Sequence, residues 1–182
     1  MKGMTLIELL ACVAILAVTA SFGLPLFHSM IQRSESITAI NWLVRSVVFA
    51  RSAAVTYNTN VTLCPSRDGR HCGGRWASRT IVFTDANLDH VQDGRDRRLM
   101  QFHFPLDGGT ITWHAFGNRQ YLQMTGEGFT HYQNGSFVYC PENGDTRYAM
   151  QLVINMAGRA RTSKDTNGDG YVEDRHGRHL HC

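Results

Sequence analysis

From residue 4 to residue 31 the chain is an almost unbroken apolar run, broken by one acid and by no lysine or arginine. The apolar positions then thin to a spacing of three and four. Ile37, Ile40, Leu43, Val44, Val47, Val48 and Phe49, followed by Ala53 and Ala54, recur at the α-helical period, with Arg33, Glu35, Arg45, Ser46 and Arg51 between them. Read as one element, 4–57 predicts a helix of about 80 Å at 1.5 Å per residue. Gly23 and Pro25 predict a kink near its middle. The first half, 4–31, is greasy on all sides and long enough for a bilayer, which needs about 20 residues. The second half, 32–57, has one apolar face and suits packing on a domain.

Beyond Tyr57 the pattern changes. "NVTLC", "RTIVFTD", "RLMQFHF", "TITWHAF", "QYLQMT", "GSFVYC" and "YAMQLVIN" are short runs rich in β-branched and aromatic residues, separated by Gly, Asn, Asp and Pro. Turns are marked by "LDGG" at Leu106–Gly109 and "QNGS" at Gln133–Ser136. Residues 58–182 are therefore expected to form a β-rich globular domain, an antiparallel sheet of about seven strands with one face on the amphipathic half of the helix. Strands do not alternate with further helices, which excludes a doubly wound fold. The expected class is α+β: a long kinked N-terminal helix, its transmembrane half followed by its amphipathic half, packed on an antiparallel β-sheet.

The formal charge of +3 is mild, so bulk electrostatics alone predicts no nucleic-acid partner. The placement of the basic residues must decide that. Five cysteines stand at 12, 64, 72, 140 and 182. Cys12 lies in the apolar run. The other four form an even set in a Gly-rich, loop-rich body, which suggests disulfides and an oxidising compartment. Three pairings exist, and proximity along the chain favours Cys64–Cys72 with Cys140–Cys182. In the loop-entropy picture these closures stabilise by about 2.5 and about 4 kcal/mol. No nucleophile elbow, phosphate loop or HExxH stands in the chain, and no catalytic residue is assigned.

Glu8 decides how the N-terminus is read. A carboxylate near the centre of a membrane helix costs about 2.5–3.5 kcal/mol even on a lenient scale. A cleaved secretory signal ending at "VTA" before Ser21 is the rival, but Glu8 sits where its apolar centre would lie and only three residues precede the run. "G-MTLIE" resembles the N-terminal signal of type IV pilins and type II secretion pseudopilins. The resemblance implies a leader of residues 1–3, cut by a prepilin peptidase after Gly3, and N-methylation of Met4, where the family usually has Phe. Glu8 then falls at the fifth mature position, where it pairs with the N-terminal amine of a neighbouring subunit. Each charge alone in an apolar bundle is costly, and pairing recovers much of that cost.

"WASRTIVFTDANLD", "YLQMTGEGF", "GSFVYC" and "LVINMAGRAR", in that order, resemble the GspH/FimT group of pilins, and the closing "GRAR" and the cysteines resemble its FimT/FimU minor pilins. The resemblance implies a type IV pilin fold and a minor pilin concerned with pilus assembly or priming, placed near the tip. Its partners would be other major and minor pilins, the prepilin peptidase and the inner membrane. It would be a single-pass inner-membrane protein before assembly and lie in the extracellular type IV pilus afterwards. The alternative is a GspH-like pseudopilin acting in protein export by type II secretion.

Three loops carry candidate chemistry. In "MAGRARTSK", Gly158 is expected to end a strand at a tight turn. Arg159 and Arg161 would then point to one side of an extended segment, with Lys164 just beyond. Two guanidiniums with no acid between them suit bidentate phosphate contact. In the FimT subgroup such a "GRxR" is associated with DNA binding in natural transformation, which the resemblance assigns to Arg159, Arg161 and Lys164. "CPSRDGRHCGGRWASR" is a second basic patch, Arg67, Arg70, Arg75 and Arg79 against Asp68 alone; a polar hairpin tip is the plainer reading. "DTNGDGYVED" resembles a calcium loop, with Asp165, Asn167 and Asp169 at positions 1, 3 and 5, Gly170 at 6 and Glu173 at 9. His176 stands at position 12 in place of the usual Glu, and a plain Asp/Asn/Gly turn is the alternative. Beyond calcium, no cofactor is expected. "DANLDHVQD", similarly spaced, reads as a loop. His176, His179, His181 and Cys182 could serve zinc, but no paired Cys-x-x-Cys spacing supports it, and the histidines read as surface residues.

Overall fold

The computed structural model describes residues 5–182, the side chains of 22–26 excepted. Gly3 and Met4 lie outside the described residues, and the kink expected at Gly23 and Pro25 falls outside the described side chains. The chain divides into two compact units, 1–34 and 35–182, and one helix, α1 (Leu6–Tyr57), contributes to both.

In the first unit, Thr5 and Glu8 close the start of α1. Glu8 Oε2 accepts from the Thr5 N–H (2.8 Å) and Oγ1 (2.9 Å), and the Glu8 N–H donates to Thr5 Oγ1 at 3.4 Å. This is a capping box, satisfying donors that a helix N-terminus otherwise leaves free. Thr19 and Ser21 turn their hydroxyls back onto carbonyls of Ile15, Leu16 and Ala17. Glu8, Thr19 and Ser21 are thus each bonded locally. No helix is long and apolar enough, among the described residues, to cross a membrane. Leu6 to Ser21 reaches about 24 Å as a helix, against about 30 Å of hydrocarbon.

In the second unit α1 continues to Tyr57 and ends in a Schellman cap. Asn58 takes φ +47°, the Asn58 N–H donates to Val55 O and the Thr59 N–H to Ala54 O. Eight strands follow: β1 (Val61–Pro65), β2 (Arg79–Thr84), β3 (Arg98–His103), β4 (Thr110–Ala115), β5 (Leu122–Met124), β6 (Gly135–Cys140), β7 (Met150–Ile154) and β8 (Ala160–Thr162). They make two four-stranded antiparallel sheets, ordered β3-β2-β1-β5 and β4-β6-β7-β8. The seven apolar runs of the sequence are β1 to β7. The expected single sheet is two, because β1 pairs with β5 and β4 with β6, across intervals that a linear pattern does not encode.

One core joins the helix to both sheets. Ala39, Ile40, Leu43, Val47, Ala50 and Ala54 pack with Val61 and Leu63 of β1, Val82 of β2, and Trp113, Phe137 and Leu152 of the second sheet. Trp113 stacks on Phe137 at 4.2 Å, with Trp76 edge-on to the same ring at 4.7 Å. The small residues Ala39, Ala50 and Ala54 are fully buried and let backbone approach backbone. Ile37 and Val48, counted with the apolar face in the sequence, lie instead about half exposed on the outside of the helix. The far face of the first sheet carries a small second core, Cys64, Ile81 and Phe83, covered by Cys72 and Tyr121.

Candidate functional site

The "GRAR" segment forms the end of the second sheet. The Gly158 N–H donates to Asn155 O (3.0 Å), Asn155 Oδ1 accepts from the Arg159 N–H (3.0 Å), and the Asn155 N–H donates to Arg159 O (3.2 Å). Gly158 sits at φ +68°, and a Cβ there would collide with Gly128 O and press on Arg51. The glycine therefore admits a close three-way approach. Arg51 Nε reaches across from α1 to donate to Gly128 O at 2.9 Å. Beyond the turn, Ala160 packs on the core and Arg161 stands opposite Val153. Ala160 facing inward turns Arg159 and Arg161 outward, both exposed, as the two-residue period requires. Lys164 is exposed one step past Ser163, whose N–H and hydroxyl are held by Gln151.

Among the described residues, Arg159, Arg161 and Lys164 form no ion pair, unlike Arg95, Arg147 and Arg178. A groove of about 660 Å³ between α1 and β8 is lined by Val44, Val48 and Val55 of the helix and by Arg51, Arg159 and Arg161. The arginines were legible in the sequence. Arg51 and the helix valines beside them were not, since nothing linear ties the helix to a strand a hundred residues on.

The second basic patch hangs on the first sheet. Cys64 and Cys72 are bonded, Cα atoms 5.4 Å apart. Asp68 organises the loop, accepting from the Arg70 and His71 N–H groups and pairing with the His71 ring at 2.6 Å. Those contacts, the His71 ring first, hold its carboxyl well below the usual carboxylate range. Arg67, Arg70 and Arg75 are exposed, but Arg79 is half-buried and donates to Ser66 O. The patch is thus smaller than the sequence suggests. No hydrogen bond or ion pair joins it to β8 among the described residues.

Cys140 and Cys182 form the second disulfide, Cα atoms 5.6 Å apart, while Cys12 is a free, exposed thiol. The structure contains the pairing favoured by chain proximity.

"DTNGDGYVED" folds into a loop closed largely on itself. Asp165 accepts from the Gly168 (2.6 Å) and Gly170 (2.9 Å) N–H groups, and Asn167 and Asp169 bond to each other twice. Of the four expected calcium residues, Asp169 lies beside both Asn167 and Glu173. Asp165 and Asn167 accept from N–H groups of the turn, and Asp169 and Glu173 lie together with His179. The sequence signal for His179 was the "DRHGR" turn, which folds Leu180 back on Val172.

"DANLDHVQD" is a loop, and its first residue is the most buried acid of the domain. Asp85 is fully buried, accepting from Thr62 Oγ1 (2.7 Å), Gln123 Nε2 (3.0 Å) and the Asp89 N–H (3.1 Å), with His90 Nδ1 at 3.1 Å. It fastens β1 and β5 to the loop after β2, a role that the linear pattern does not announce.

The chain matches the family described as type II transport protein GspH over residues 39–158, from the buried half of α1 to the Gly158 turn. The chain belongs to the GspH family. Its fold is that of the type IV minor pilin FimU of Pseudomonas aeruginosa (strain PAO1), seen in two crystal forms. The P21 form aligns with a TM-score of 0.56 at 21% identity, over 74% of this chain and 92% of FimU. The P65 form aligns at 0.51 and 20%, over 70% and 90%. The minor pseudopilin EpsH of the Vibrio cholerae type 2 secretion system aligns at 0.47 and 11% identity. No curated protein matches. Membership of the GspH family makes the chain a minor pilin or pseudopilin, a class whose partners are other pilins. The GspH match ends at Gly158, so Arg159, Arg161 and the acidic loop lie beyond it.

Proposed function

We propose that the protein is a minor pilin of a type IV pilus, taking part in assembly or priming of the fibre near its tip. In this reading the prepilin peptidase cuts after Gly3, Met4 is methylated, and residues 4–31 lie in the inner membrane until the subunit enters the pilus. The observation that carries it is the state of Leu6 to Val18: described leucines, isoleucines and valines at least half exposed, closed at the start by Thr5 and Glu8. Such a surface needs partners outside the chain, and a bundle of like helices supplies them. Glu8 would there exchange its Thr5 donors for the amine of a neighbour.

The same reading gives the tip a grip on DNA. Arg159 and Arg161, side by side without acids, and Lys164 beyond them would contact phosphates, with Arg51 behind. Such contacts track a backbone without reading bases. Binding should then weaken with salt at about −0.9 decade per decade for each duplex phosphate engaged. The test is a salt-titrated gel shift with short duplex DNA beside a transformation assay. Arg159→Gln with Arg161→Gln should leave pili intact, flatten the salt slope by about two phosphate contacts and abolish transformation. Unchanged DNA binding by the double variant would overturn the assignment of the arginines.

A second reading, a pseudopilin of type II secretion, is favoured by the family description itself. It predicts failed enzyme export on deletion, with pili present.

A further inference from the structure

Asp169, Glu173 and His179 lie together where the sequence pointed to a different set. Their ligand atoms, one per residue, all fall within 4.8 Å of one another. Glu173 and His179 are antiparallel bridge partners in the hairpin closed by Asp174 N–H to Arg178 O (2.8 Å) and Leu180 N–H to Val172 O (3.2 Å). Directly opposed residues carry their side chains on one face. Asp169 enters from the loop before the hairpin, its Oδ2 2.8 Å from His179 Nε2. The His179 ring is stacked on Tyr171, centroids 4.7 Å apart, which fixes the direction of its nitrogens.

Glu173 is the decisive residue. It is 5% exposed; its Oε2 accepts from the Thr166 N–H (2.9 Å) and Oγ1 (3.0 Å), and its Oε1 is buried with no hydrogen-bond partner. A buried carboxylate oxygen without a donor is costly. A cation supplies what is missing.

We propose that Asp169, Glu173 and His179 form a site for a divalent transition-metal ion of the zinc type. One imidazole nitrogen and two carboxylates suit Zn²⁺, Co²⁺ or Mn²⁺, whereas Ca²⁺ takes six to eight oxygens and gains nothing from a histidine. Ligands at about 2.0–2.2 Å from one ion stand farther apart than the 2.8 Å between His179 Nε2 and Asp169 Oδ2, so binding opens that contact and sets the ion between the two groups. The side chains of His179 and Asp169 are 47% and 37% exposed, which leaves an entry path and a position for water. Asp165 and Asn167 shape the loop and do not ligate. The ion clasps the acidic loop to the hairpin whose far end is held by Cys140–Cys182, and fixes the segment that begins immediately after Lys164.

The test uses the full chain in detergent, stripped with chelator, and titrated calorimetrically with ZnCl₂, CoCl₂ and CaCl₂. One equivalent of zinc should bind, and cobalt should give visible ligand-field bands. His179→Gln should weaken zinc about 100-fold, and Glu173→Gln likewise. Asp165→Asn, and His176→Gln with His181→Gln, should leave the site within about threefold of the original. His179 is exposed, so its variant remains informative if Glu173→Gln misfolds. Three results would overturn the site: no saturable zinc binding, equal binding by wild type and His179→Gln, or tighter calcium binding that Asp165→Asn abolishes.

Discussion

Leu6 and Leu43 lie on one helix, yet the first is 76% exposed and the second 1%. The difference is in the neighbours each pattern can recruit. Between Ala39 and Ala54 the apolar residues return every three or four positions, so one stripe meets two sheets while Arg45 faces water. Before Ser21 apolar residues fill every side, and no single face could bury them. A helix of that kind is completed by lipid or by other helices. Ile37, Val48 and Val55, about half exposed on the outside of the buried half, show the two patterns overlapping.

The contrast can be broken most directly by truncating a leucine on each half. Leu43→Ala should cost about 3–5 kcal/mol in denaturant unfolding. Leu10→Ala should change it by less than about 0.5 kcal/mol while lowering incorporation into pili. Equal losses of folding stability would mean that the bare half is packed as tightly as the other. A smaller effect is expected where the buried half meets the β8 turn. Gly158→Ala puts a Cβ into Gly128 O at φ +68°, and a melt should report a loss of about 1–3 kcal/mol; a neutral result would mean that the helix is seated loosely there. The smallest concerns a region that relies on neither half. The N–H groups of Arg178 and then His176 lower the Asp174 carboxyl from its ordinary 3.8 to about 2. A depressed acid stabilises above its unfolded pKa and stops doing so as pH falls through the folded one. Amide protection in the 172–180 hairpin, relative to the intrinsic exchange rate at each pH, should therefore fall between about pH 4 and pH 2 before that of residues around Leu43.

Local structure was legible wherever the period was clear. The apolar run, continued by the 3.6-residue repeat, predicted one helix to about Tyr57, where α1 ends, and the β-branched runs became β1 to β7. β8 was not read as a strand because three residues, two of them polar, carry no period. Arg159 before it and Arg161 in it were found by the "GRAR" motif, and their outward direction came only with Ala160 packing inward. Partnerships were harder. Asp85 looks like any turn aspartate until Thr62 and Gln123 close on it. The acidic loop showed its ligating residue types, but the turn that delivers His179 changes which of them meet.

The bond from Arg51 to Gly128 O, with Gly158 lodged against both, has a mechanical meaning. Tension on the end of α1 would reach the turns at Gly128 and Gly158 through this knot. A pull on this part of the helix would be felt first at the turn that carries Arg159 and leads into β8 with Arg161.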